Sequence, residues 1–411
     1  MRIRSAGLLA ATAALALTTA CGGGGQEAAD QPKGTMVIWA DPERTEVLQP
    51  FAEEFGSANG IKVDVQEVAA DTIQSDFVTA HEGGSGPDVL VGAHDWIGNL
   101  VQNGAIDPLQ LPQEKVDALN EVAVEATTYD GQLYGVPYAM ENLALIRNTE
   151  LAPEAPETFE DLVETGKRLK QDGEVEEVLG LQVGQTGDPY HMQPFYTSAG
   201  GYLFGTDDQG NPDPADLGVG TPESVAAFEK IAEFGEEGEG VFKRSIDAEN
   251  VASLFHQGKT AFFVTGPWSL GAVQEAGVEY DVSPVPGFAG GEEPRPFVGV
   301  QAFFVASGSK NKVLAEEFVT NYVTDPELAT ALYEADPRPP ALTEVMEKVS
   351  KDDPAVAKFI DAGADGRPMP AIPQMDAIWD PFGKAQAAVI GGADPQKAVE
   401  SAAETIREEI G

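Results

Sequence analysis

With 411 residues, 42% of them hydrophobic, the chain is long enough to bury two cores of ordinary domain size. Sixty-eight acidic against 25 basic residues give a formal net charge of −43. That balance argues against nucleic acid or an anionic lipid face as a partner. A single cysteine excludes an intrachain disulfide, so the domain must hold together by its core. The acidity is spread in runs such as Glu236-Glu237 and Glu292-Glu293, which read as solvated faces rather than one patch.

At the N-terminus, Arg2 and Arg4 precede an apolar stretch over 6–17, followed by Thr18-Thr19-Ala20, Cys21 and four glycines. A basic start, a short apolar stretch and small residues before a cut describe a secretory signal over 1–20, too short to span a bilayer. The mature protein is expected outside the cytoplasm. With cysteine first in the mature chain, the arrangement resembles a bacterial lipoprotein signal. The resemblance implies that the Cys21 thiol receives a lipid and that 21–34 is a flexible tether to the membrane. Thr18 departs from it, standing where such signals usually carry leucine.

Beyond the tether, short β-branched runs alternate with amphipathic segments, the pattern of an α/β protein with parallel strands joined by helices. Met36-Val37-Ile38-Trp39 reads as a buried strand, and Val47, Leu48, Phe51 and Phe55 mark a helix over 46–55. Ile61, Val63 and Val65 alternate with polar residues as a second strand. A helix over 73–80, a Gly-rich turn ending at Pro87 and the strand Asp88-Val89-Leu90-Val91 follow. Such β-α-β-α-β order brings loops to one sheet edge, where open α/β proteins bind ligands. A similar series starts near Gly180 and includes Leu181 and Val183, a helix over 222–233 and Ala261-Phe262-Phe263-Val264.

Between the halves, Tyr134-Gly135-Val136-Pro137-Tyr138 runs into Leu143-Ala144-Leu145-Ile146. Later, Phe297-Val298-Gly299-Val300-Gln301 runs into Phe303-Phe304-Val305. These two extended crossings suggest a double hinge between two lobes. From Lys310 the chain turns mainly helical, with candidates over 315–323, 326–333, 376–390 and 395–409.

Catalytic signatures are largely missing. The histidines His81, His94, His191 and His256 are too scattered for a zinc motif and read as surface or hydrogen-bonded residues. Gly258-Lys259-Thr260 lacks the upstream glycine and strand of a phosphate loop and reads as a helix stop. No G-x-S-x-G elbow is present. What is left is a set of aromatic and acidic residues placed where loops follow strands, which suits a sugar. A pyranose stacks its C–H faces on flat rings and hydrogen-bonds carboxylates and cations through its hydroxyl fringe. Among the tryptophans, Trp39 ends an apolar strand and suits a core position. Trp96, Trp268 and Trp379 fall at loop or helix starts.

The chain resembles the maltose/maltodextrin-binding proteins of ABC importers, within the wider family of extracellular solute-binding proteins. The likeness runs through Gly86-Pro87-Asp88 to Ala93-His94-Asp95, then Gly131-Gln132-Leu133-Tyr134-Gly135-Val136-Pro137 and Gly200-Gly201-Tyr202-Leu203-Phe204. It continues through Gly258-Lys259-Thr260-Ala261 to Gly266-Pro267-Trp268, then Pro296-Phe297-Val298-Gly299-Val300, and Met369-Pro370-Ala371-Ile372-Pro373-Gln374-Met375 to Trp379.

The resemblance implies a two-lobed, type II periplasmic-binding-protein-like α/β fold, each lobe a central sheet flanked by helices. The expected first lobe is 35–139 with 302–348 and the second 143–296 with 355–411, with hinges near 139–143 and 297–301. It assigns ligand contacts to Asp95 and Glu141 as hydroxyl acceptors, and to Tyr190, Trp268 and Trp379 as stacking rings. Asp188 and Pro189 join as an acidic corner, Met369 as an apolar contact, and Glu43 and Arg44 as a pair in the first loop. Trp96 takes part as a first-lobe contact. The departures are Gly92 for a stacking tryptophan, Trp96 for a basic residue, Ala248 for a tyrosine and Gly383 for a basic residue. Trp96 either supplies the surface Gly92 lacks or narrows the cleft for a ligand such as trehalose.

The implied function is capture of an α-glucoside without chemistry, with no cofactor. The implied partners are a membrane permease pair and its ATPase, and the protein itself is expected to be a monomer. A lipid-anchored glycosidase using the same rings with two carboxylates, or a surface adhesin, are the alternatives from other classes.

Overall fold

A computed structural model describes residues 34–207 and 210–410. The signal segment, Cys21 and the tether to residue 33 lie outside the described residues. Strand Thr35–Ala40 buries Met36, Ile38 and Ala40 and lies parallel to Lys62–Glu67 on one side and Val89–Ala93 on the other. The parallel β-α-β-α-β order expected of this stretch is therefore present. The intervening helix, Pro42–Asn59, is longer than its apolar stripe because its caps set its ends. The Asp41 side chain accepts from the Arg44 N–H, Pro42 opens the first turn, and Gly60 closes the helix in the left-handed region at φ 66°.

Asp88 ties this layer together before strand Val89–Ala93 begins. Its carboxylate accepts from Val37 N–H at 2.8 Å, Ser309 Oγ at 2.6 Å and Asn311 Nδ2 at 3.1 Å. Strand Phe297–Val305 then adds antiparallel to Val89–Ala93, and Gly135–Asn142 adds antiparallel beyond it. The stretches 297–301 and 303–305 are thus one strand, with a register shift between Gln301 and Ala302. Met36, Ile38, Leu48, Phe55, Phe303 and Phe318 form the core of this lobe.

The second sheet corrects an expectation. Its strands run Tyr280–Ser283, Ala144–Asn148, Phe262–Thr265, Gly180–Leu181, and only the last pair is parallel. Strand Ala144–Asn148 enters the centre of this sheet directly from Gly135–Asn142, with Leu143 alone between them. It therefore needs no crossover helix and runs against both neighbours. Helices Phe159–Gln171, Pro189–Ser198, Pro222–Glu233, Asp376–Ile390 and Pro395–Ile410 enclose Phe159, Phe195, Tyr196, Phe228 and Phe382 in the second core. Phe159–Gln171, absent from the expected elements, is set by a reciprocal capping box between Thr158 and Asp161. A third cluster joins Ile146 and Val282 to Val300, Leu342 and Phe359, so helices Thr343–Asp352 and Pro354–Ala362 pack where the two sheets meet.

Two α/β lobes are thus joined by crossing strands that pair with each other, Val298 opposite Asn142. Another connection runs from helix Pro354–Ala362 to helix Asp376–Ile390. Its strand Arg367–Pro368 lies parallel to Phe297 and Val298. First-lobe helix Ile97–Gln102 rests directly on this connection, where a Cβ added at Gly98 would overlap the backbone of Ile372 and Pro373. Gly98→Ala is expected to force that contact apart and lower stability by about 1–3 kcal/mol, read as a shift in the urea midpoint with an unchanged slope.

Candidate ligand-binding cleft

Strand Val89–Ala93 stops at Ala93, opposite Gln301, while Arg367–Pro368 pairs only with Phe297 and Val298. The interval between them is filled by a side chain. His94 Nδ1 accepts from Val300 N–H at 3.1 Å, and Nε2 lies 3.0 Å from Met369 O. The neutral ring with its proton on Nε2 satisfies both backbone groups. His94 is fully buried, and burial lowers its pKa to about 4. The short 3-10 turn His94–Trp96 then sends Asp95 and Trp96 off the sheet edge. The indole of Trp96 lies over Gly92, where an added Cβ would overlap it.

Asp95 is 7% exposed, and its Oδ1 has no hydrogen-bond partner. Burial, then the negative charge of Asp376, pushes its carboxyl up to about 7.

On the second lobe, Asp188 caps helix Pro189–Ser198. It accepts from His191 N–H at 2.9 Å, His191 Nδ1 at 2.9 Å and Gln182 Nε2 at 2.6 Å. Burial raises its pKa, but the charge and hydrogen bonds of His191, with Gln182, outweigh this and hold it below the ordinary value. Its oxygens serve its own lobe and orient the residues that follow. Pro189 occupies the first turn near Gly383, where an added Cβ would lie 3.2 Å from Pro189 Cδ and 3.0 Å from Thr186 O. The glycine at 383 thus lets helix Asp376–Ile390 approach the start of the helix that carries Tyr190.

The Tyr190 ring stands 6.2 Å from Trp268 and 6.1 Å from Phe297, and Phe297 is 6.1 Å from Trp379. Trp268 folds back over Gly266, and Trp379 stands in the first turn of helix Asp376–Ile390. The buried Tyr190 hydroxyl has no partner. Burial, then the Glu141 charge, holds its pKa well above the ordinary value, so it is a neutral donor.

Glu141 sits on the crossing strand, 8% exposed, within 3.3 Å of Gln301 Nε2 and ion-paired to Arg338 Nε. Arg338 also pairs with Asp336, which lies 3.1 Å from Arg44 Nη2. Arg44 is further held by Asp41 at 2.8 Å and by the Tyr138 hydroxyl at 2.6 Å. Its guanidinium is thus committed to the first lobe, while Glu43 is exposed and outside this network. Met369 packs in the second-lobe core, and Ala248 is exposed. A groove of about 1280 Å³ shares Met369 and Phe297 with this region but otherwise has different walls, among them Tyr129, Tyr202 and Arg367.

The structure therefore gathers Asp95, Glu141, Tyr190, Trp268 and Trp379 around the crossing strands, with Trp96, Asp188, Pro189 and Met369 supporting them. Sequence reasoning missed Arg338, Phe297 and the bridging role of His94. The signal for Arg338 was its setting in Pro337-Arg338-Pro339-Pro340, a stiff segment that holds a cation in place. Among the described residues, no group of three or more His, Cys, Asp or Glu is arranged to hold a metal ion.

Paired crossing strands, with polar and aromatic groups from both lobes at their edge, define a two-lobed solute-binding protein. The chain belongs to the bacterial extracellular solute-binding protein family, whose model matches residues 50–358. It is similar to a galactooligosaccharide-binding protein of Bacillus subtilis, with 30% identity covering 98% of this chain and 96% of that one. A maltotriose-binding protein of Pyrococcus abyssi is 30% identical over 84% of this chain and 75% of its own. A maltooligosaccharide ABC transporter solute-binding lipoprotein of Streptococcus pneumoniae is 27% identical over 99% and 97%.

The raised carboxyl and the lowered imidazole have opposite consequences for stability. Between pH 6.5 and about 4 the unfolded chain binds more protons at His94 than the folded one, so this contribution is lost as pH falls. Between pH 3.8 and about 7 the folded state binds more at Asp95, so stability is lost there as pH rises. Asp95→Asn is therefore expected to melt above wild type at pH 8, with the difference vanishing by pH 4, in thermal scans across that range.

Proposed function

We propose that this protein captures a maltooligosaccharide-type α-glucoside between its lobes and delivers it, chemically unchanged, to an ABC permease. The observation that carries this reading is the pair of buried, unpartnered polar groups, Asp95 Oδ1 on the first lobe and the Tyr190 hydroxyl on the second, beside Trp268. Buried polar groups without partners cost about 1–3 kcal/mol each, and a sugar offers both what they lack. Its hydroxyls donate to Asp95 and accept from Tyr190, while its apolar face packs on Trp268 or Trp379. The names of the maltotriose- and maltooligosaccharide-binding relatives support the same ligand class.

The lobes, 35–139 with 302–348 and 143–296 with 355–411, rotate about the crossings near 139–143 and 297–301. Ligand touching both lobes favours the closed arrangement, and closure is what the permease reads. Arg44 acts through the Asp336 network rather than as a direct contact. Cys21 carries the lipid that holds the monomer at the outer face of the cell membrane.

A second ligand class is favoured by one finding, the near full-length similarity to a galactooligosaccharide-binding protein. Titration calorimetry of the domain starting after Cys21, with maltose, maltotriose, maltotetraose, trehalose and a β-galactooligosaccharide, separates the two. Binding in the maltose series is expected, with intact sugar recovered afterwards. Trp268→Ala and Glu141→Ala are each expected to weaken it about 10- to 100-fold. Preference for the galactooligosaccharide would replace the ligand class, and release of shorter sugars would replace the binding role with a glycosidase. In cells, Cys21→Ala is expected to move the protein from the membrane fraction to the medium, seen by immunoblot with loss of palmitate labelling.

A further inference from the structure

Arg338 belongs to no expected contact set, yet it reaches from the segment after helix Pro326–Ala335 to the second lobe. Its guanidinium carbon lies 5.5 Å from the centre of the Trp268 ring. That is within cation–π reach, about 6 Å, but beyond the roughly 3.5–4.0 Å of a group lying flat on the ring. One face of that indole already packs on Gly266.

The guanidinium is also fixed in direction. Nε is held by Glu141 and Nη1 by Asp336, whose carboxylate is itself 3.1 Å from Arg44. Arginine carries five donors in a rigid fork, and Nη1, though ion-paired, is buried without a hydrogen-bond partner, so the fork is not fully committed. The Tyr190 hydroxyl, buried and without a partner, lies within the fields of Glu141 and Arg338 together. A charged donor beside Trp268, the charged acceptor paired with it and an unsatisfied neutral donor thus stand near one another.

We propose that Arg338 is a ligand-contacting, specificity-determining residue. With Glu141 it reads two adjacent hydroxyls of the sugar unit stacked on Trp268, Glu141 accepting from one and Arg338 donating to the other. The proposal rests on the sugar-binding reading above. It gives a half-buried arginine a reason to stand in a cleft for an uncharged ligand. The ion pair keeps both groups aimed before the sugar arrives, so little ordering is needed on binding. It also predicts selection for units that carry both hydroxyls side by side.

The test is titration calorimetry of the domain starting after Cys21 with the tightest-binding sugar of the panel. It compares wild type, Arg338→Met, Arg338→Lys, Glu141→Gln and the double variant Arg338→Met/Glu141→Gln, with melting curves as a folding check. Arg338→Met is expected to bind about 10- to 100-fold more weakly, the loss of one or two charge-assisted hydrogen bonds. Arg338→Lys, which keeps the charge, is expected to recover part of this and decides the matter if the methionine variant does not fold. In the Glu141→Gln background Arg338→Met is still expected to weaken binding about fivefold or more, because the guanidinium touches the sugar itself. Equal or tighter binding by Arg338→Met, or an effect that disappears in that background, overturns the proposal while leaving the sugar reading intact. A wild type that binds no sugar of the panel overturns the sugar reading and this proposal with it.

Discussion

The pairing of strand Gly135–Asn142 with strand Phe297–Val305 is the constraint on which both lobes hang. These strands lie side by side through the junction, with Val298 opposite Asn142 and Gly299 opposite Glu141. Their shared ladder keeps the first sheet continuous up to the point where the chain leaves for the second. It also forces a compromise, since strand Val89–Ala93 ends before Arg367–Pro368 begins on the same edge. Val300 N–H and the Met369 carbonyl face that interval. The His94 ring closes it, and in doing so ties the first lobe to the connection that leads to Trp379. The groups that define the cleft stand next to this bridge in sequence or register: Asp95 and Trp96 follow His94, Glu141 faces Gly299, and Phe297 opens the crossing strand.

Electrostatics reinforce the same arrangement. The chain is strongly acidic as a whole, yet its cleft holds an alternating chain of charges, Asp41, Arg44, Asp336, Arg338 and Glu141. Partly desolvated, such a chain is rigid because removing any member leaves a neighbour's charge uncompensated. Asp95, close to Glu141 and Asp376 but without a cation of its own, responds by holding its proton more tightly. The result is a site with little uncompensated charge and several directed donors and acceptors, suited to a neutral polyhydroxylated ligand. The large acidic surplus resides elsewhere, on the solvated faces.

Much of this was readable before the structure. The parallel strands of the first lobe follow from their β-branched runs and period-two alternation, and the helices over 376–390 and 395–409 from their apolar stripes. The paired crossings were visible as extended runs with no helix between them. The helix beginning at Pro42 was underestimated because its start is set by the Asp41 cap rather than by hydrophobic spacing. The antiparallel second sheet was misjudged because strand direction depends on how the chain re-enters the sheet, which a run of apolar residues does not record.

The sequence by itself determined the α/β class, the two halves and the kind of side chain offered to a ligand. These depend on local periodicity and residue chemistry. Only the tertiary structure decided which polar groups are spent and which are left without a partner. Arg44 and Asp188 are consumed by a network and a helix cap, whereas Asp95 Oδ1 and the Tyr190 hydroxyl are buried without partners. It also placed Trp96 over Gly92, and Arg338 beside Trp268, 70 positions earlier in the chain. Hydrogen-bond satisfaction and overlap are properties of what surrounds an atom in space, and the residues that surround these atoms come from distant segments of the chain.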